Sequence, residues 1–205
     1  MDCSEDGGIP LKEDVRVMAG DDGPFKFEDQ ASLLVGLVVR GTGYLEAVYS
    51  SSVRVDRLDA TDAVAHLVKG SRQLPQLKAV LLDGLTLAGF NVVDIEALNR
   101  ATDLPVLTVV DKVPDPEAIR SALEGRFPDW EERYRLISAP ETHALDLPGG
   151  GTLTCHMVGM DVEEARELLR VTTLRGHLPE ALRMAHLVAS GLPRLVDVAS
   201  WTEVR

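Results

Sequence analysis

Acidic residues at the ends of apolar runs carry the chemistry this sequence offers. Residues 19–25, Ala-Gly-Asp-Asp-Gly-Pro-Phe, place Asp21 and Asp22 between a short apolar stretch and a Gly-Pro turn. Leu81-Leu82-Asp83-Gly84 repeats the arrangement. Open α/β sheets gather ligands at the carboxyl ends of their strands. Neighbouring strand residues point to opposite faces, so only one of Asp21 and Asp22 can face a given site. Each acid alone also reads as an ordinary turn residue before glycine. Together they say more. If the first strand is central and pairs with the strand at 78–82, Asp21 and Asp83 end side by side. Two close carboxylates repel, and a hard divalent cation relieves that repulsion. Mg²⁺ (or Mn²⁺) is typically held by one or two carboxylates with substrate phosphates and water, the arrangement of metal-assisted phosphoryl transfer.

Other residues supply supporting candidates. A third acid comes from Asp56, Asp59 or Asp62. Asp59 is chosen because it sits at a strand-to-helix junction, where it reads equally as a helix N-cap. The polar stretch 172–180 joins two helices. Within it Arg175 suits a phosphate and His177 a proton carrier or outer ligand, although the stretch also reads as a plain interhelical turn. Lys112 lies just past the strand at 105–110, on the sheet edge of Asp83, as a phosphate contact or an ordinary surface lysine. Asp22 and Gly84 flank the two principal acids and join Lys112 and Arg175 as substrate contacts. His186 falls on an apolar helix face, as a core or supporting residue. A Gly-x-Gly-x-x-Gly after the first strand, a Walker loop and a nucleophile elbow are all absent, which weighs against dinucleotide enzymes, P-loop NTPases and α/β hydrolases.

These residues need a sheet to position them. Strands are expected at 15–20, 33–40 and 44–55, joined through a Gly-Thr-Gly turn at 41–43 as an antiparallel meander. A helix follows at 59–69, a strand at 78–82, a helix at 92–102, a strand at 105–110 and a helix at 115–126 with Pro116 in its first turn. After 130–138 and a Pro/Gly-rich break at 147–152 come a strand at 152–158, a helix at 161–171 capped by Asp161, and a last helix at 179–189. Strands first, then strands alternating with helices, imply a mixed sheet covered by helices.

The chain has 205 residues, enough for one sizeable core. The expected organisation is a loose polar tail at 1–13, one domain at 14–191 and a short tail at 192–205. The longest apolar run falls well short of a membrane span. The polar, acidic start resembles neither a signal nor a transit peptide, so a cytoplasmic protein is expected. Two cysteines, Cys3 and Cys155, suggest neither a disulfide framework nor a zinc site. The net charge of −12 disfavours broad nonspecific nucleic-acid binding, but leaves room for a local basic patch or for a cation screening the carboxylates.

Four longer motifs carry a resemblance. They are Asp21-Asp22-Gly23-Pro24-Phe25, the run from Leu82-Asp83-Gly84 through Ala88-Gly89-Phe90-Asn91 to Ile95, Phe127-Pro128-Asp129-Trp130-Glu131, and Arg175-Gly176-His177-Leu178-Pro179-Glu180. With them the chain resembles the largely archaeal endonuclease dU family over 15–191. That family is similar to endonuclease V, a ribonuclease-H-like, Mg²⁺-dependent nuclease that cuts near deaminated bases. The resemblance implies an α/β, ribonuclease-H-like fold with a mixed five-stranded sheet flanked by helices and an additional C-terminal strand and helices. It implies an Mg²⁺- or Mn²⁺-dependent endonuclease acting in DNA repair on DNA with uracil or hypoxanthine. Asp21 matches the first-strand acid, although Ala19 stands where a Gly is usual. Asp83 matches the acid of the Asp-Gly motif, and Gly176-His177 looks like the Gly-His before the last helix. Asp59 is the nearest fit to the acid at the end of the third strand. Catalysis would then fall to Asp21, Asp83 and His177, and the metal to Asp21, Asp83 and Asp59. The Pro-Tyr-Ile-Pro wedge motif of endonuclease V is absent, which weighs against hypoxanthine-specific strand probing. The alternatives are a non-catalytic nucleic-acid-binding or adaptor protein on the same fold, and an RNA-directed nuclease.

Overall fold

A computed structural model describes residues 13–110, 115–146 and 151–192. The expected tails, apart from residue 13 and residue 192, and Lys112 lie outside the described residues. The strands are β1 (Arg16–Asp22), β2 (Ala31–Arg40), β3 (Tyr44–Arg54), β4 (Leu77–Asp83), β5 (Thr86–Leu87), β6 (Asn91–Val92), β7 (Val106–Val110), β8 (His143–Asp146) and β9 (Thr152–Val158). The helices are α1 (Ala60–Gly70), α2 (Ile95–Thr102), α3 (Pro116–Glu124), α4 (Trp130–Ser138), α5 (Val162–Thr172) and α6 (Glu180–Gly191).

Seven strands form one sheet in the order β3-β2-β1-β4-β7-β9-β8, and β5 with β6 forms a separate hairpin. The pairs β1–β4 and β4–β7 are parallel, and the others are antiparallel. The expected five-stranded arrangement is present as β3-β2-β1-β4-β7, and β9 is the additional strand. Edge strand β8 was not expected. It has four residues, only one of them buried, too little apolar alternation to read from the chain.

Strand alternation sorts the core into two layers. Val17, Ala19, Ala79 and Leu81 pack with Leu168, Leu169, Ala181, Leu182 and Ala185 of α5 and α6. Met18, Val80 and Leu82 pack with Val64, Leu67 and Val68 of α1 and with Ile95 and Leu98 of α2. Gly20 belongs to the second layer, where a Cβ would sit 3.0 Å from Leu82 Cδ2. The two-residue alternation of β1 therefore fixes which face of the sheet each of its terminal acids meets. Cys155 is a buried free thiol in the first layer.

Helix ends follow their caps. Asp161 and Glu164 form a reciprocal capping box on α5, and Asp115 caps α3 with Pro116 behind it. Two expectations are corrected. The helix placed at 92–102 begins only at Ile95, where Asp94 accepts from the Ala97 N–H at 2.9 Å. The apolar residues before it pair back onto β5 instead. Asp59 stands at the N-cap of α1 but does not cap it, and the Ala60 N–H donates to Asn91 Oδ1 at 2.9 Å.

The β5–β6 turn is locked to the β3–α1 corner. Asp56 N–H donates to Ala88 O at 3.0 Å, and Phe90 N–H to Asp56 Oδ1 at 2.9 Å. Buried Arg133 of α4 then donates to three carbonyls, those of Asp56, Arg57 and Phe90, at 3.0, 3.1 and 2.6 Å. Gly89 has φ +89°, and a Cβ there would overlap Asp56 Oδ1. Gly89→Ala is expected to destabilise the fold by about 2 kcal/mol through positive-φ strain and that overlap. Urea unfolding should show a lower midpoint with an unchanged slope, and an unchanged midpoint would contradict the locked turn.

Candidate active site

β1 and β4 run parallel with Gly20 opposite Leu82, so Asp21 and Asp83 follow side by side at one end of the sheet. Alternation puts both on the α6 side. Asp22 turns to the other side, where the nearby backbone N–H of Ala88 favours its charged form. The expected juxtaposition of Asp21 and Asp83 is therefore present. Asp83 is exposed, and the side chain of Asp21 is only 13% exposed.

Asp21 Oδ1 accepts the N–H of Asp22 at 2.9 Å, and Oδ2 lies 3.0 Å from His186 Nδ1. Burial raises the Asp21 carboxyl above the ordinary carboxylate range, and the charge of Asp83 raises it further, against the Asp22 N–H and His186. Asp22 is pushed up to about 6, first by burial and then by the charge of Asp21, against the Ala88 N–H. The site thus concentrates negative charge in a half-buried place.

The Asp22 shift has a measurable sign in protein stripped of cations. The folded chain holds that proton up to about 6, whereas the unfolded chain releases it near 3.8. Between these values the folded state binds more protons, so its stability falls as pH rises. Asp22→Asn removes that decline and keeps an acceptor for Ala88. The thermal midpoint of the variant minus that of the wild type should grow from pH 4 to pH 6 and then level off. Parallel curves would place Asp22 in water.

His186 is 67% exposed at its side chain, yet it reaches Asp21 across 165 positions of sequence. Its helix presses Leu182, Ala185 and Ala189 into the core, and His186 flanks that stripe at the end of β1. The 182, 185, 186, 189 spacing flagged its face in the sequence, but not how far along β1 the helix docks. It is not a core residue.

The other candidates scatter around this centre. Asp59 accepts from Arg54 Nε at 2.8 Å and from Asn91 Nδ2 at 2.6 Å. Burial raises its pKa, but these bonds and the Arg54 charge outweigh it and hold the carboxyl below the usual range. Its carboxylate serves the β3–α1 corner. Gly84 takes φ +82°, with its N–H on Val109 O at 2.9 Å and open space where a side chain would stand. Arg175 and His177 are exposed on the turn between α5 and α6, where Gly176 takes φ +72°.

The donor chemistry suits a hard cation. Asp21 and Asp83 supply adjacent carboxylate oxygens whose repulsion an ion would relieve, and Mg²⁺ needs only one or two such groups besides water and phosphate. Among the described residues no group of three or more His, Cys, Asp or Glu is arranged to hold a metal ion. No helix among those residues is long and apolar enough to cross a membrane.

Comparison with known proteins matches the chain to one family. The family described as endonuclease dU matches residues 13–193. A UPF0215 protein of Methanothermobacter thermautotrophicus is 44% identical over 184 residues, covering 89% of each chain. A crystal structure of a protein of unknown function from Archaeoglobus fulgidus is similar with a TM-score of 0.76 and 34% identity, over 86% of this chain and 97% of that one. At the level of fold alone, endonuclease V of Ciona intestinalis, solved with a 23mer DNA containing an inosine followed by a ribo-adenosine, aligns with a TM-score of 0.59 and 14% identity, over 90% of this chain and 87% of that one. A sheet of ribonuclease-H-like order, two acids at the ends of its central parallel strands, and a match along nearly the whole chain converge on one assignment: this protein belongs to the endonuclease dU family.

Proposed function

We propose that the protein is a divalent-cation-dependent endonuclease that hydrolyses phosphodiesters in DNA carrying deaminated bases, uracil or hypoxanthine. The observation that carries this reading is the Asp21–Asp83 pair at the end of the sheet, with Asp21 held against His186. Asp21 and Asp83 would hold Mg²⁺ or Mn²⁺, which when bound lowers the pKa of water and offsets charge on the phosphodiester. His186 fixes the orientation of Asp21 through Nδ1, which leaves Nε2 to exchange a proton with solvent or substrate. Burial of Asp21 removes competing water from one side of the carboxylate pair. His177 and Arg175, on the turn leading into α6, complete the proposal as proton carrier and phosphate contact. Lys112 would add a second phosphate contact and Gly84 would line the approach, whereas Asp22, also expected there, turns to the opposite face and would act only through the charge it adds near Asp21. Asp59 would join a metal only by giving up Arg54.

One observation favours a second reading, a nucleic-acid-binding protein without catalysis: the described residues lack a set of three converging ligands. Cleavage of end-labelled duplexes and single strands bearing one uracil, one hypoxanthine or no lesion separates the two. Each is incubated with Mg²⁺, Mn²⁺ or EDTA, beside matching RNA. Cation-dependent cutting near a lesion supports the nuclease, whereas binding without cutting in any cation supports the second reading.

A further inference from the structure

A cleft of about 480 Å³ opens at the same end of the sheet as the carboxylates, two strands away from them, lined by Phe27, Asp29, Gln30, Arg54, Val55 and Arg57. It lies where β2 begins and β3 ends, with Ala31 opposite Arg54 and the Val55 N–H on Gln30 O at 3.1 Å. Asp22 stands opposite Leu34 on β2, so Arg54 lies two strands across and three residues along from it. Strand geometry makes that roughly 14 Å, a span of a few nucleotides.

Phe27 is 66% exposed, and its ring is held in place. Asp29 accepts the Lys26 N–H at 2.8 Å and fixes the turn that carries it. Phe25 meets it edge-on at 6.0 Å. The Arg126 guanidinium stacks 4.5 Å from its centroid and is itself ion-paired to Asp56 at 3.1 Å. The exposed ring thus shares its cleft with two arginines, Arg54 paired to Asp59 and Arg57 exposed, while Arg126 stacks on it. Aromatic surface beside guanidinium groups is what unpaired nucleic-acid strands meet, by base stacking and phosphate pairing.

Building on the nucleic-acid reading above, we propose that this cleft holds one unpaired nucleotide of the substrate strand, its base stacked on Phe27 and its phosphate met by Arg57. Stacking accepts any base, so the cleft selects strand opening and leaves lesion identity to groups nearer the carboxylates. The chain should therefore bind single strands in preference to intact duplex.

The test is fluorescence anisotropy of a labelled oligo(dT) and of a labelled duplex in EDTA, with the full chain, at several salt concentrations. Phe27→Ala should weaken single-strand binding about tenfold. Phe27→Trp should keep the affinity and show emission quenched by the strand. Arg57→Gln should flatten the log–log salt dependence by about 0.7. Both side chains are exposed, so neither change disturbs the core. If the wild type binds oligo(dT) and both Phe27→Ala and Arg57→Gln bind it equally well with unchanged slopes, the cleft assignment is overturned and the nuclease reading stands. A wild type that neither binds nor cuts any strand overturns both.

Discussion

Asp83→Asn should reduce strand cleavage by about a thousandfold, with Asp21→Asn close behind. Losing one of the two carboxylates removes half of the charge that would hold a cation, and the cation's share of transition-state stabilisation is several kcal/mol. The folded state should not suffer. Asp83 is exposed at the end of β4, and an amide in its place keeps the shape while relieving its repulsion of Asp21. A metal-free thermal midpoint equal to or above that of the wild type is therefore expected. The decisive measurement pairs activity with cation titration. Mg²⁺ or Mn²⁺ should raise the wild-type midpoint by mass action and leave Asp83→Asn unmoved. An Asp83→Asn protein that cuts normally, or that is stabilised by cation as well as the wild type, would remove Asp83 from the site.

The largest effect on stability is expected at Arg133. Its side chain is only 4% exposed and donates to the carbonyls of Asp56, Arg57 and Phe90 and to both oxygens of Asp129. Its guanidinium also stacks 4.2 Å from the Phe127 ring centroid. Arg133→Met leaves three inward carbonyls without donors and is expected to cost about 3–5 kcal/mol. For a chain of this length that lowers the thermal midpoint by roughly 10 °C. The Asp129 pair contributes little of this, because Asp129 is itself partly open to solvent. Arg133→Lys keeps the charge but not the planar fork, so it should recover less than half of the loss. A wild-type midpoint in both variants would show that the carbonyls find water instead.

These two residues also mark what a sequence reader could and could not see. Asp21 and Asp83 were legible because strand ends announce themselves through apolar runs broken by Asp-Gly, and strand alternation needs no three-dimensional information. Asp161 and Pro116 were legible for the same reason, since caps are local. Arg133 was not. It sits in a helix where it is one of four charged residues among nine, and it finds its carbonyl partners more than forty positions away. His186 was noticed, but its reach to Asp21 depends on where α6 docks along β1, a packing outcome that helical spacing leaves open. Asp59 shows the opposite failure. Its position at the N-cap was right, but Asn91 arrives from the β5–β6 hairpin to satisfy α1, and Arg54 claims the carboxylate. The last strand residue of the hairpin, Val92, reads with Val93 as the start of a helix because a short apolar run looks alike in strand and helix.

The parallel pairing of β1 with β4 and the bond from Asp21 to His186 bear on when the protein becomes competent. Neither contact is local, and the second closes nearly the whole described chain. Such contacts form late, after the entropy of closing long loops has been met. The N-terminal meander can pair as it leaves the ribosome, but the carboxylate pair must wait for β4, and its histidine for the final helix. A chain interrupted before α6 carries both acids and lacks the group that orients the first of them. Assembly order thereby delays the finished arrangement, because half-made copies hold the two acids without the histidine that orients the first of them.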